Sequence, residues 1–171
     1  MSKPIQEKVK QSLKAAEGRY DRLVLLVREN GSGKTAVLRD VADELGVQVV
    51  NVNLELSAKL IELTARQRTL HLPRLFNEIA EKGNSTLVLD NLEILFDNEL
   101  KQDPLRLLKS ISRNHSVVAS WNGKATGKKL TYATADHPEY RKYDQVDAMI
   151  VGMDDGKTAN QENANREAEN A

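Results

Sequence analysis

Residues 22–36 read RLVLLVRENGSGKTA. The run from Leu23 to Val27 is apolar without alternation, the pattern of a strand covered on both faces of a sheet. The stretch after Thr35 places Val37, Leu38, Val41 and Leu45 on one helical face, with Gly46 as a stop. Between them lies a short loop with two glycines. Strand, glycine loop and helix in that order form a cradle for phosphate. Glycines let successive backbone N–H groups turn into one concavity, and the helix start aims its positive dipole end at the same point. The amides of Asn30, Gly31, Ser32, Gly33, Lys34, Thr35 and Ala36 are the candidate donors. The Lys34 ammonium would reach the outer phosphates, and the Thr35 hydroxyl would take a place on Mg²⁺.

This stretch resembles the Walker A motif, with one departure: Arg28 stands where the first glycine belongs. A side chain there crowds the loop entrance or itself reaches a phosphate. The partner of such a loop is an acid at the end of another buried strand. Residues 85–91, STLVLDN, supply it in Asp90, which resembles a Walker B acid. At the carboxyl edge of the sheet Asp90 would hold Mg²⁺ through its water shell, since Mg²⁺ prefers oxygen ligands and keeps several waters. ATP and Mg²⁺ are therefore the expected ligands.

ATPases of this kind often carry a glutamate directly after that acid. Here Asn91 follows, and an amide is no general base at neutral pH. Glu93 is the nearest carboxylate; it is either the base or an exposed acid at a helix start. Asn122 and Ser120, at the end of the strand SVVASWN, are the two polar candidates for sensing the γ-phosphate, Asn122 first. Arg113 ends the helix before that strand. It either satisfies the helix dipole or, in a homo-oligomer, is offered to the next subunit's nucleotide. His71, His115 and His137 show no metal-ligand spacing and read as structural or surface residues.

Outward from the loop, strands and helices alternate. Residues 3–19 carry Ile5, Val9, Leu13 and Ala16 at helical spacing. A second strand is expected over VQVVNVN, 47–53. One helix should face Leu56, Leu60, Ile61 and Leu63 inward, and another should start near Pro73 and end at Gly83. A helix over 103–113 has Asp103 as its N-cap and Pro104 in its first turn. SVVASWN (116–122) is a fourth strand, LTYA (130–133) an edge hairpin strand, and DAMIVG (147–152) a fifth central strand. The pattern predicts a three-layer α/β fold: a mostly parallel five-stranded sheet with helices on both faces. The arrangement with an additional strand between the loop strand and the acid strand accommodates VQVVNVN, and no helical lid is expected. Residues 1–153 read as one nucleotide-binding domain, with an N-terminal helix over 1–20. The polar, acidic stretch 154–171 lacks Leu, Ile, Val and aromatics and is expected to be disordered.

Composition narrows the function. Of 171 residues none is cysteine, which excludes disulfides, thiolate metal sites and thiol nucleophiles. Aromatics are 4%, too few for a base-stacking platform. No apolar run is long enough to span a membrane and the N-terminus is no signal peptide, so a cytoplasmic protein is expected. The net charge of zero is a cancellation. Residues 101–130 carry seven Lys/Arg against the single acid Asp103, whereas 154–171 carry five acids and two bases. Lys124, Lys128, Lys129, Arg141 and Lys142 are the candidates for contact with DNA or an acidic partner. Two rival functions therefore stand beside nucleotide binding: a scaffold that keeps the fold without nucleotide, motivated by Arg28 and Asn91, and a DNA-binding module.

Three segments taken together, LVLLVRENGSGKT, STLVLDNLEILF and VVASWNGK with LTYATADHPEY, resemble the BrxF family, the small P-loop protein of type 3 BREX phage-defence systems. The resemblance spans roughly residues 15–152. It implies a nucleotide-binding accessory subunit working with a large ATPase, a methyltransferase and a phosphatase-like protein that together mark host DNA and block phage replication.

Overall fold

The computed structural model describes residues 3–29 and 33–153. Asn30, Gly31 and Ser32 of the loop and the stretch 154–171, expected to be disordered, lie outside the described residues. The element order is α1 (Lys3–Ala16), β1 (Leu23–Arg28), α2 (Lys34–Leu45), β2 (Val49–Asn51), α3 (Val52–Leu60), α4 (Ala65–Lys82), β3 (Thr86–Asp90), α5 (Pro104–Ile111), β4 (Ser116–Thr126), β5 (Lys129–Tyr132), β6 (Arg141–Tyr143) and β7 (Met149–Gly152). Two short 3-10 turns, Glu93–Phe96 and Asn98–Leu100, link β3 to α5.

Five strands are parallel, in the spatial order β2-β3-β4-β1-β7. This is the predicted α/β architecture, enlarged by an antiparallel extension in which β5 pairs with the far half of β4 and β6 with β5. The strand lying between the loop strand β1 and the acid strand β3 is β4; the VQVVNVN segment supplies β2 at the outer edge instead. Alternation along the strands divides the core. Val24, Leu26, Val88 and Val118 pack with Ile5, Val9, Leu13 and with Val37, Leu38 and Val41, so α1 and α2 cover one face. Leu23, Leu25, Leu87, Leu89, Val117 and Ala119 pack with α3, α4 and α5 on the other.

Several boundaries differ from the sequence expectation, each for a local reason. The second strand is only three residues long because the Asn51 side chain accepts from the Leu54 amide and starts α3. Ile61, expected inward, is 74% exposed: α3 ends at Leu60, and the inward face is made by Val52, Leu56 and Leu60. Helix α4 begins eight residues before Pro73, at a capping box between Thr64 and Gln67. Pro73 sits inside it. A proline has no N–H for the carbonyl four residues back, and that carbonyl, on Thr69, instead accepts from Gln102 Nε2 at 2.9 Å. Asp103 caps α5 as expected, accepting from the Arg106 amide.

Candidate functional site

The site lies at the carboxyl ends of β1, β3 and β4. Gly33, with φ of 85°, ends the loop in the left-handed region that glycine tolerates, and α2 begins at Lys34. The N-cap residue Gly33 has no side chain to cap the first turn of α2, and the leading amides of a helix have no intrahelical acceptor. Lys34 is 6% exposed and its Nζ donates to the carbonyls of Arg28 at 3.1 Å and Glu29 at 3.2 Å. Burial holds this amine below its usual range, against the pull of Asp90 and Glu93, with Arg28 adding to the depression. A buried, partly desolvated ammonium held by the carbonyls of Arg28 and Glu29 is a strong donor for a polyphosphate that brings its own charge.

Helix α2 crosses from β1 toward β3, which brings Thr35 to the acid. Thr35 Oγ1 donates to Asp90 Oδ2 at 2.6 Å, and Asp90 is 4% exposed. Among the described residues no group of three or more His, Cys, Asp or Glu could hold a metal alone. A hydroxyl and a carboxylate oxygen this close are nevertheless the donor set that Mg²⁺ uses when substrate phosphates and water complete its shell. The residues fit the ion.

Beyond Asp90 the chain turns at Asn91, which has φ of 54°. Asparagine tolerates this region better than glutamate. The turn delivers Glu93 to the same edge. Its Oε2 accepts from Asn53 Nδ2 at 2.7 Å and its Oε1 from Asn122 Nδ2 at 2.9 Å. Asn53 is the residue the sequence reading missed. It sits in the first turn of α3, and its Oδ1 also accepts from the Ile94 amide at 2.8 Å while its own N–H reaches Asn91 O. A polar residue closing an apolar strand-like run was the available signal.

Of the two sensor candidates, Asn122 touches the cluster directly. Ser120 is buried on the same face of β4, one step short of the sheet edge. Arg28 pairs in register with Asn122 and contributes its carbonyl to Lys34. Arg113 is not brought to the site. It lies just before β4, at the opposite end of the parallel strands, with its Nε 3.4 Å from Asp21 and its guanidinium 5.0 Å over the Tyr20 ring. A cavity of ≈ 510 Å³ opens beside Glu93 and Asn122, bounded on its far side by Tyr132, Thr134, His137 and Glu139. This loop after β5 was not foreseen as part of the site.

A parallel sheet in this order, an amine and hydroxyl at the start of the first crossover helix and an acid at the end of β3 define a P-loop ATPase fold. The chain belongs to the ATPase family associated with various cellular activities (AAA), whose model matches residues 24–120. No curated protein matches the chain. Among solved structures it is similar to that of PCH-2 from C. elegans, at 17% identity and a TM-score of 0.46. That match covers 88% of this chain and 42% of the other, so the chain spans less than half of PCH-2. No helix among the described residues is long and apolar enough to cross a membrane.

Proposed function

We propose that this chain binds ATP with Mg²⁺ and serves as a nucleotide-dependent accessory subunit of a BREX phage-defence complex. The observation that carries the nucleotide half is the 2.6 Å contact between Thr35 and Asp90 beside the buried Lys34 amine. Lys34 would hold the outer phosphates, the leading amides of α2 the inner ones, and Thr35 and Asp90 the Mg²⁺. The metal would supply charge neutralisation on the phosphates.

Glu93, whose side chain lines the 510 Å³ cavity, would accept the proton of the attacking water. Both of its oxygens are already engaged by Asn53 and Asn122. A carboxylate whose two oxygens are both engaged must release one amide before it can take a proton, so hydrolysis by the isolated chain is expected to be slow, and faster once a partner or the nucleotide draws either amide away. The BREX half of the proposal is supported by the three sequence segments that resemble BrxF.

Calorimetry of ATP with Mg²⁺ on wild type and on Lys34→Ala tests the nucleotide reading. Wild type is expected to bind and the variant to lose at least about tenfold in affinity, the cost of one charge-assisted contact. Equal affinity in the two would overturn the assignment. Co-expression with the large ATPase, methyltransferase and phosphatase-like subunits of a type 3 system tests the assembly. Failure to co-purify with any of them, with or without ATP, removes the BREX role and leaves nucleotide binding intact.

A further inference from the structure

Five cations outside the nucleotide site, Lys124, Lys128, Lys129, Arg141 and Lys142, lie on one arm. β4 runs past Asn122, the last residue paired with β1, for four more residues. It turns at Gly127, with φ of 60°, and returns as β5, which β6 then joins. The inner side of this ribbon is fixed to the domain. Leu130 and Tyr132 are buried, the Tyr132 ring stacks on Phe96 at 3.4 Å, and Trp121 Nε1 donates to Thr131 O at 3.0 Å. Arg141 belongs to this inner side, its guanidinium 5.9 Å from the Phe96 ring centroid, and is not part of a free basic rim.

The outer side differs. Lys124, Thr126, Lys128, Lys129 and Lys142 are exposed. A groove of ≈ 600 Å³ runs between the tip and β6, lined by Thr126, Lys128, Lys129, Lys142, Asp144 and Gln145. Lys124 lies 3.0 Å from Glu29 in a surface pair that water already weakens. Among the described residues Asp144 is the one acid lining the groove. No large apolar side chain is exposed on the arm: the exposed ones among the described residues, Tyr20, Leu45, Leu54, Ile61 and Leu70, all lie on other elements. A protein partner is normally anchored by buried aromatic or aliphatic groups at the centre of the contact. A basic, polar face without such anchors matches a phosphodiester backbone better. Lysines are mobile point charges that contact phosphate without reading base edges.

We infer that the β4–β5–β6 arm is a sequence-independent binding surface for the nucleic-acid backbone, with Lys128, Lys129 and Lys142 making the phosphate contacts. This goes beyond the nucleotide reading and does not depend on it.

Fluorescence anisotropy of a labelled duplex and of a single strand, each about 20 nucleotides long, read at several salt concentrations, tests it. Wild type is expected to bind at least one of them, with affinity falling steeply as salt rises. The variant Lys128→Ala/Lys129→Ala/Lys142→Ala is expected to lose at least about tenfold in affinity at low salt. Its log–log salt slope should flatten by roughly 2 to 3, about 0.9 for each phosphate contact removed. ATP binding should be unchanged in the triple variant, so the arm and the nucleotide site fail separately. Lys128→Glu at the hairpin tip serves as a single-residue check with little risk to folding. Absence of binding to either probe at low salt would overturn the inference, as would a triple variant that binds like wild type. So would an acidic peptide of equal charge binding more tightly than both nucleic acids at the same salt.

Discussion

Asn53→Ala probes the device that holds Glu93. The wild-type side chain makes two hydrogen bonds: its amide donates to the carboxylate at 2.7 Å, and its oxygen accepts from the Ile94 amide at 2.8 Å. The second is a neutral bond, worth about 1 kcal/mol, and its loss leaves a half-buried N–H without its acceptor. The first is charge-assisted and in a half-buried setting contributes about 1–2 kcal/mol. Because the two share one side chain they need not add, and a total of about 2–3 kcal/mol is the expectation. For a domain of this size each kcal/mol moves the midpoint by about 2–4 °C, so the melting temperature should fall by roughly 5–10 °C. Asn53→Asp separates the two bonds. It keeps an acceptor for Ile94 but sets a second carboxylate against Glu93, so it should be at least as unstable as Asn53→Ala at pH 7. Thermal melts by circular dichroism give the readout. An Asn53→Ala protein melting within about 1 °C of wild type would refute the clamp.

Other expectations follow from the same geometry. Gly123→Ala should prevent the hairpin from closing, because a Cβ there would meet Thr131 O at 1.8 Å; poor soluble yield or a melting temperature lowered by more than about 8 °C is expected, as for other severe backbone clashes. Lys34→Met should change the pH dependence of stability. Burial lowers the folded pKa of Lys34 below 10.5, so between the two values the unfolded chain binds more protons and the stability linked to this group rises with pH. Urea midpoints should therefore show wild type gaining on the variant as pH approaches 10.5; parallel curves would contradict the buried amine. Asp90→Asn should reduce ATP affinity in Mg²⁺ by more than in EDTA, since it removes an anionic oxygen at the proposed metal position while nearly conserving volume; equal losses in calorimetry would refute that position. Arg113→Ala should leave ATP affinity within about twofold of wild type, because its contacts are with Asp21 and Tyr20 at the far end of the sheet.

Much of the fold is legible along the chain because buried parallel strands announce themselves locally. LVLLV, TLVL and SVVAS are continuous apolar runs, and capping residues such as Asp103 act within one turn. What misled was competition between local signals. Pro73 looks like a helix start, yet Gln102, far along the chain, takes the carbonyl that the proline leaves unpaired and lets α4 run through. Asn51 looks like part of a strand, yet its side chain ends the strand by capping α3.

The sequence alone determined the phosphate-loop motif, the acid at Asp90 and the alternation that makes the fold α/β, because each depends on residues that are neighbours in the chain. Tertiary structure decided what meets at the sheet edge. It put β4 between β1 and β3, and so set Asn122 against Glu93; it recruited Asn53 from α3; and it carried Arg113 to the opposite end. Those contacts join residues some 30 to 90 positions apart, and no local propensity encodes them: they follow from the order in which hydrophobic strands find their neighbours.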